Sequence, residues 1–425
     1  MTGKSPREIA LNVLCGTRIK NGFASDVLAK ATEGLEQRDA AFCYHLTLCV
    51  LQNRRFIDAA IDRFTKGKME PLVRDILRLG AAQLLFMRVP ENAAVHETVN
   101  QAKAACPRAA GLCNAVLRRL SETDRDSLLE AMGGSFALRY SLPDWLAEEL
   151  IERFGAEEAQ SFAAAVSQPP PVTLVENTFR PLTEREKLPL TCHEALPGVY
   201  TYDGAVERLT GFIRGKVLVA DAGARMAVMA LGLRPGMRVW DGCAAPGGKS
   251  LMAALDMKNE GYVLSTDVSE KKLPKIEQSA ARMGVEILDV HHANAAVHEP
   301  GECFDAVICD VPCSGLGVLA KKPDIRFKSP GDFARLPEVQ GKILCHMAKY
   351  VAPGGLLLYC TCTFRRAENE DVVNAFLTEN PDFKRQSFTL PMGEMDEITL
   401  LPHVHGTDSF YFTLLKKGEA PCLTC

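Results

Sequence analysis

The chain has 425 residues, 47% of them hydrophobic and 24% charged, with a formal net charge of −4. That length calls for two or three domains and that balance for a soluble globular protein. No apolar stretch approaches the roughly 20 residues of a membrane span, and the start lacks a secretory apolar run, so a cytoplasmic protein is expected. The charge is uneven: residues 1–120 carry 18 Lys and Arg against 11 Asp and Glu, leaving 31 against 42 in the remainder. A basic front end suits a polyanion, because phosphates are met mainly by Lys and Arg. The alternative is an ordinary solvated helical surface.

In chain order, Ser5, Pro6 and Glu8 read as a helix start. Hydroxyl and carboxylate can satisfy otherwise unpaired N–H groups, and proline suits the first turn. The pattern over residues 1–120 is all-helical, with helices predicted over 5–20, 37–53, 93–105 and 111–121. Between these, Leu72, Ile76 and Leu79 share a helical face with charged side chains opposite. A further helical pattern covers 143–166 and is stopped by Ser167-Gln168-Pro169-Pro170-Pro171, after which Val172–Val175 reads as a strand.

From residue 207 the texture changes. Short apolar runs at 238–240, 262–265, 286–288, 306–308 and 356–359 alternate with helical segments near 247–256, 275–283, 333–350 and 368–379. Such alternation predicts a mostly parallel sheet covered on both faces, with ligands beyond the carboxyl ends of its strands. There is no internal repeat and no low-complexity tract.

The first of these strands runs into Asp241-Gly242-Cys243-Ala244-Ala245-Pro246-Gly247-Gly248-Lys249-Ser250. Small residues at a strand-to-helix turn let the backbone approach a ligand and present N–H groups to it. A phosphate-binding P-loop would need glycine where Cys243 stands, and G-x-G-x-x-G is absent, so neither ATP nor NAD is favoured. The second strand ends in Asp267, whose carboxylate can accept both ribose hydroxyls of an adenosyl ligand; capping the next helix is its ordinary alternative.

Fifteen cysteines without a secretory signal point to a reducing cytosol rather than a disulfide scaffold. Cys303, Cys309, Cys313, Cys345, Cys360 and Cys362 crowd into one stretch. Two segments carry the chemistry: Asp310-Val311-Pro312-Cys313-Ser314-Gly315 after the fourth strand and Tyr359-Cys360-Thr361-Cys362-Thr363 after the fifth. A thiolate adding to C6 of a cytosine makes an enamine whose C5 can attack a sulfonium methyl, and a thiolate also leaves well. An acid such as Asp310 that contacts N3 and the exocyclic amine would stabilise charge developing on the base.

On DGCAAPGGKS, CDVPCSGLG followed by KKPDIRF, and YCTCTF followed by Glu368-Asn369, the chain resembles the RNA cytosine-5 methyltransferase family, in particular the bacterial 16S ribosomal RNA enzymes of the Sun/RsmB (Fmu) group. The resemblance covers nearly the whole chain. Pro6-Arg7-Glu8, Leu84–Pro90 and Asn114–Arg118 are similar to the NusB-like helical RNA-binding domain that this group carries. It implies a multidomain chain: an all-α NusB-like domain over 1–130, a linking α/β segment over 131–206, an α/β Rossmann-like class I S-adenosylmethionine (SAM) methyltransferase domain over 207–418, and a tail over 419–425.

It also implies roles. Cys362 matches the nucleophile, Cys313 the second cysteine that helps break down the covalent intermediate, and Asp310 the acid that contacts the base. Cys243, Ala244, Ala245, Pro246, Gly247, Gly248 and Lys249 match the loop around the donor's methionine part, with Lys249 also near the reaction centre, and Asp267 matches the ribose ligand. Lys321, Lys322 and Arg326 fall where the family shows basic residues that meet RNA phosphates. The implied substrate is 16S ribosomal RNA, free or in early assembly particles, and the implied state a monomer.

Three positions depart from the family pattern. Ala293-Asn294 stands where an acid near the adenine is usual, leaving Asn294 to offer a neutral carbonyl; Ala220 replaces a glutamine; Cys360 replaces an alanine. Metal binding by Cys360 and Cys362 is disfavoured, because no second cysteine pair lies at zinc spacing. Cys422 and Cys425 read as a loose end, His291 and His292 as structural or cofactor-proximal, and Cys309 and Cys345 as core. The rival functions are a DNA cytosine methyltransferase using Cys313 as nucleophile and an RNA-binding protein with a decayed catalytic domain.

Overall fold

The capping chemistry at the front is realised: the Ser5 N–H donates to the Glu8 carboxylate at 2.7 Å and the Glu8 N–H to Ser5 Oγ at 3.3 Å, opening the helix Pro6–Ile19. The computed structural model describes residues 5–19 and 24–419, so Cys422 and Cys425 lie outside the described residues. The chain forms two compact units, one built from residues up to Pro169 together with Leu319–Lys328, the other from Pro170–Val318 and Ser329 onward.

The first unit is helical. Gln37–Gln52, Glu91–Ala105 and Ala110–Ser121 follow the predicted helices closely, while Ala24–Ala31, Arg54–Arg63 and Arg125–Ala131 add to them. Its central helix, Pro71–Leu85, buries Ile76 and Leu79 as expected, but its charged side chains are not on a solvated face. Asp75 and Arg78 are buried and paired at 2.7 Å, and Arg78 also meets Asp58 at 2.7 Å. Burial of one charge here requires the other nearby. The expected 143–166 helix is two helices, Asp144–Phe154 and Ala156–Ala165, because Gly155 at φ 80° takes a backbone conformation that breaks the helix and that other residues avoid.

The second unit begins with a small antiparallel sheet of β1 (Val172–Glu176), β2 (Thr191–Cys192), β3 (Val199–Tyr202) and β4 (Val217–Val219), in the order β2-β3-β1-β4. The large sheet follows: β5 (Arg238–Asp241), β6 (Tyr262–Asp267), β7 (Leu288–His292), β8 (Phe304–Asp310), β9 (Val351–Thr361) and β10 (Phe383–Arg385). A hairpin of β11 (Phe388–Leu390) and β12 (Gly393–Met395) precedes β13 (Glu397–Leu400) and β14 (Phe410–Lys417). The order is β10-β14-β9-β8-β5-β6-β7 with β13 beside β14. β5 to β9 pair parallel; β10, β13 and β14 run antiparallel at one end, so the sheet is mixed.

Alternate residues of the central strands feed two cores. Val239, Val263, Ile308 and Leu358 pack with the helices Ala222–Ala230, Gly248–Asp256 and Leu273–Met283. Trp240, Leu264, Val307 and Leu357 pack with Leu336–Ala348 and Glu370–Glu379. A sheet buried on both faces explains its continuous apolar strands. The chain leaves β5 towards β6 on one side and returns to β8 on the other, and that reversal opens a crevice at the carboxyl ends.

Candidate active site

The turn after β5 is held from below. Asp241 is fully buried; the Ser250 hydroxyl donates to its Oδ2 at 2.7 Å, while Oδ1 has no hydrogen-bond partner. Burial pushes its carboxyl up to about 7. Gly247 adopts φ 103° against Ile276, which lies 3.0 Å from where a Cβ would stand, and leads into the helix Gly248–Asp256. At the end of β6, Asp267 accepts the Ala245 N–H at 3.0 Å and the Ser269 N–H at 2.8 Å. Beyond β7, Asn294 is exposed and its Oδ1 accepts the Ala296 N–H at 3.0 Å.

Lys249 joins this turn to the end of β8. Its ammonium is buried, lies 2.7 Å from Asp310 Oδ2 and sits 5.0 Å above the Phe410 ring. On the other side of Asp310, the Cys360 thiol donates to Oδ1 at 3.5 Å. Cys360 is wholly buried, and burial raises its thiol well above the ordinary range, which makes it an unreactive wall.

The parallel register of β8 and β9 sets Asp310 opposite Cys360. Cys313 and Cys362 therefore leave adjacent strand ends on adjacent loops. Their sulfurs are 3.2 Å apart, and both residues are partly open to solvent. The hydrogen bond with Cys362, then burial, pushes the Cys313 thiol well up. The loops are tied at Gly317, whose N–H donates to the Cys362 carbonyl at 2.9 Å and whose carbonyl accepts the Ser409 N–H at 3.1 Å.

Asp310, Cys313, Cys362 and Lys249 thus lie at neighbouring strand ends, with Cys243–Gly248 and Asp267 at the next two. The basic triplet divides. Lys322 is exposed and Lys321 half-buried, but Arg326 is 3% exposed and donates to the carbonyls of Tyr140 at 2.8 Å and Val166 at 3.1 Å. The phosphate role expected of Arg326 is corrected: its two terminal nitrogens donate inside the helical unit and its Nε is buried there, where burial lowers the guanidinium to about 10. His291 pairs with Asp289 at 2.8 Å and His292 lies 3.0 Å from the Val268 carbonyl. Cys309 is core, and Cys345 packs beside the same core, half-buried.

Sequence reasoning missed the support behind the cysteines. Glu368, Asn369 and Gln340 are all 0% exposed and hydrogen-bonded to the two loops. The signal available was the Glu368-Asn369 pair itself, two buried-type anomalies after a strand.

Comparison with known proteins agrees with this layout. The 16S rRNA methyltransferase RsmB/F family matches residues 228–416 and the NusB family residues 4–122. A probable ribosomal RNA small subunit methyltransferase B of Bacillus subtilis is 32% identical over 98% of this chain and 100% of its own length. The ribosomal RNA small subunit methyltransferase B of Vibrio cholerae is 32% identical over 92% of this chain and 93% of its own. Among solved structures, PH0851 superposes with a TM-score of 0.78 at 22% identity, covering 98% of this chain and 99% of that one. NSun6 from Pyrococcus horikoshii with SFG gives 0.58 at 18%, covering 65% and 99%. The chain belongs to the 16S rRNA methyltransferase RsmB/F family, with a NusB-family helical module in front of the methyltransferase domain.

Proposed function

We propose that this chain transfers a methyl group from SAM to C5 of a cytosine in 16S ribosomal RNA through a covalent Cys362–C6 adduct. The observation that carries the reading is the 3.2 Å approach of the Cys313 and Cys362 sulfurs at the ends of β8 and β9. The site's chemistry fits the donor. Each Asp267 oxygen holds one backbone N–H and keeps a lone pair for a ribose hydroxyl. The turn Cys243–Lys249 would hold the methionine part, and Asp241 beneath that turn keeps a buried oxygen without a hydrogen-bond partner among the described residues. Asn294 and Asp310 complete the pocket. When bound, SAM supplies an electrophilic methyl on a sulfonium.

The residues divide the remaining work. The Cys362 thiolate adds to C6, and the electron pair arriving at C5 takes the methyl group as the methyl–sulfonium bond breaks, its electrons staying on sulfur in the neutral thioether that leaves. Asp310, fixed by Lys249, contacts N3 and the exocyclic amine and steadies the charge on the ring. Cys313 stands beside Cys362, its thiol raised by the hydrogen bond between them and then by burial. It assists loss of the C5 proton, which passes to solvent water; the C5–H electron pair restores the C5–C6 double bond as the C6–S bond breaks, freeing the Cys362 thiolate and the methylated base. Lys321 and Lys322 meet RNA phosphates, and the NusB-like module helps hold the RNA. The substrate is rRNA in which the target base is still unstacked, free or in early particles, and the enzyme acts in the cytoplasm as a monomer.

Trapping on a 16S transcript containing 5-azacytidine tests the assignment. Wild type forms a complex that survives denaturing electrophoresis, and Cys362→Ala forms none. Cys313→Ala accumulates the complex on ordinary RNA. An adduct that persists in Cys362→Ala and vanishes in Cys313→Ala would exchange the roles and return the DNA-methyltransferase logic. Loss of one 5-methylcytosine from the rRNA of a strain lacking the protein, read by bisulfite sequencing, identifies the nucleotide.

A further inference from the structure

Behind the two cysteines lies a buried polar frame that the reaction as written does not use. The peptide groups flanking Cys313 are both gripped: Gln340 Nε2 donates to the Pro312 carbonyl at 3.0 Å, and the Ser314 N–H donates to Glu368 Oε2 at 2.8 Å. The same Gln340 nitrogen also donates to Glu368 Oε2 at 3.0 Å. The residues flanking Cys362 are gripped by the next side chain along. Asn369 Oδ1 accepts the Thr361 hydroxyl at 2.6 Å, and its Nδ2 donates to the Thr363 carbonyl at 3.0 Å. Besides the Gly317 and sulfur contacts, the Ser314 hydroxyl donates across the loops to Thr363 Oγ1 at 2.9 Å, and the Tyr359 hydroxyl anchors the Glu368 carbonyl at 2.6 Å.

Asn369 therefore straddles Cys362, and Glu368 and Gln340 together straddle Cys313. We infer that Glu368, with Gln340, and Asn369 are positioning residues that set the separation of Cys313 and Cys362. The Glu368 arm governs the resolution step, and the Asn369 arm governs the addition step. This rests on the two-cysteine reading above.

The energetics favour a working role over a purely structural one. A wholly buried carboxylate costs several kcal/mol of desolvation, and apolar side chains of similar volume hold a fold at least as well. Here the carboxylate is kept, its Oε1 makes no hydrogen bond, and its nearest cation, Arg365, is 3.7 Å away. What Glu368 gains is aim: the Ser314 amide it holds belongs to the peptide bond on the carboxyl side of Cys313. Its charge also opposes ionisation of Cys313. Reaction rates fall steeply when reacting groups are misplaced by about 1 Å, on the order of 100-fold.

The test uses the full-length protein with two transcripts, one of ordinary cytosine and one carrying 5-azacytidine. Gln340→Leu and Glu368→Ala are expected to form the azacytosine adduct within about threefold of the wild-type rate. On ordinary RNA they build up covalent complex, with release slowed roughly 10- to 100-fold. Thr361→Val, which removes one Asn369 contact with little change of shape, and Asn369→Ala are expected to slow adduct formation itself, the second by roughly 100-fold. Glu368→Gln keeps a carbonyl acceptor for the Ser314 N–H and restores release to within about tenfold of wild type. Melting temperatures are taken for every variant. If Gln340→Leu, Glu368→Ala, Thr361→Val and Asn369→Ala all lose both steps together, in proportion to their fall in melting temperature, the frame only holds the fold and the inference is overturned. If wild type itself forms no adduct, the two-cysteine reading fails first and takes the frame's role with it.

Discussion

At the level of single residues, the grouping of the candidate side chains was legible wherever they sit in a local motif at a strand end. Asp310 and Cys313 lie within four positions of one another, and Cys362 lies two positions beyond the strand residue paired with Asp310. Glu368 was not legible in the same way, because its partners Gln340 and Ser314 are 28 and 54 positions away. Arg326 was misread for a related reason. A guanidinium is nearly always at the surface, and only tertiary structure reveals one held by two carbonyls. Asp241 offers a measurement at this scale. In an unfolded chain its carboxyl loses its proton near pH ~4, whereas in the folded protein it does so at about 7. Between those values the native state binds a proton that the unfolded state has released, so stability falls as pH rises through that window. In urea unfolding without cofactor, wild type should lose about 2 kcal/mol more than Asp241→Asn between about pH 5 and pH 7.5. A constant difference between the two proteins would show Asp241 ionised throughout.

At the level of elements, β5, β6, β8 and β9 announced themselves as apolar runs because both of their faces are covered. β7 was placed early, at 286–288 rather than Leu288–His292. It is an edge strand, half-solvated, so its sequence alternates instead of running apolar. β10, β11 and β12 have three residues each, too few for any period to show, and the apolar run of β14 reads equally as a short buried helix. The loop after β8 is packed against backbone on two sides. A Cβ on Gly317 would lie 1.9 Å from the Ser409 carbonyl oxygen and 2.8 Å from that of Cys362, both backbone atoms. Gly317→Ala must therefore push the two cysteine loops and the start of β14 apart. A loss of roughly 1–3 kcal/mol by thermal denaturation is expected. Trapping efficiency should fall more than stability alone predicts. A variant that melts and traps like wild type would mean these loops separate freely.

At the level of the whole molecule, a basic helical front and an α/β catalytic half were visible from charge and texture. What no local pattern announced is that the chain does not keep its two units apart in sequence. It leaves the helical unit at Pro169, returns to it for Leu319–Lys328, and leaves again at Ser329. Within that returning stretch Ile325 and Arg326 are buried, and the Ala24 N–H meets Asp324 at 3.3 Å. Arg326→Ala in the full chain should cost about 1–3 kcal/mol, by taking the guanidinium from the Tyr140 carbonyl and leaving the Val166 carbonyl to the Gln52 amide alone. The salt dependence of RNA binding should stay as it is, since no phosphate contact is lost. An unchanged melting temperature with a shallower salt slope would restore the phosphate role.

The threading also limits how such a protein can be taken apart or reassembled. A clone starting at Pro170 would carry ten residues whose binding site had been cut away, including a guanidinium now facing water or aggregating neighbours. Swapping the front module between relatives would succeed only if that decapeptide travelled with it, so the two halves are bound to change together rather than as interchangeable parts.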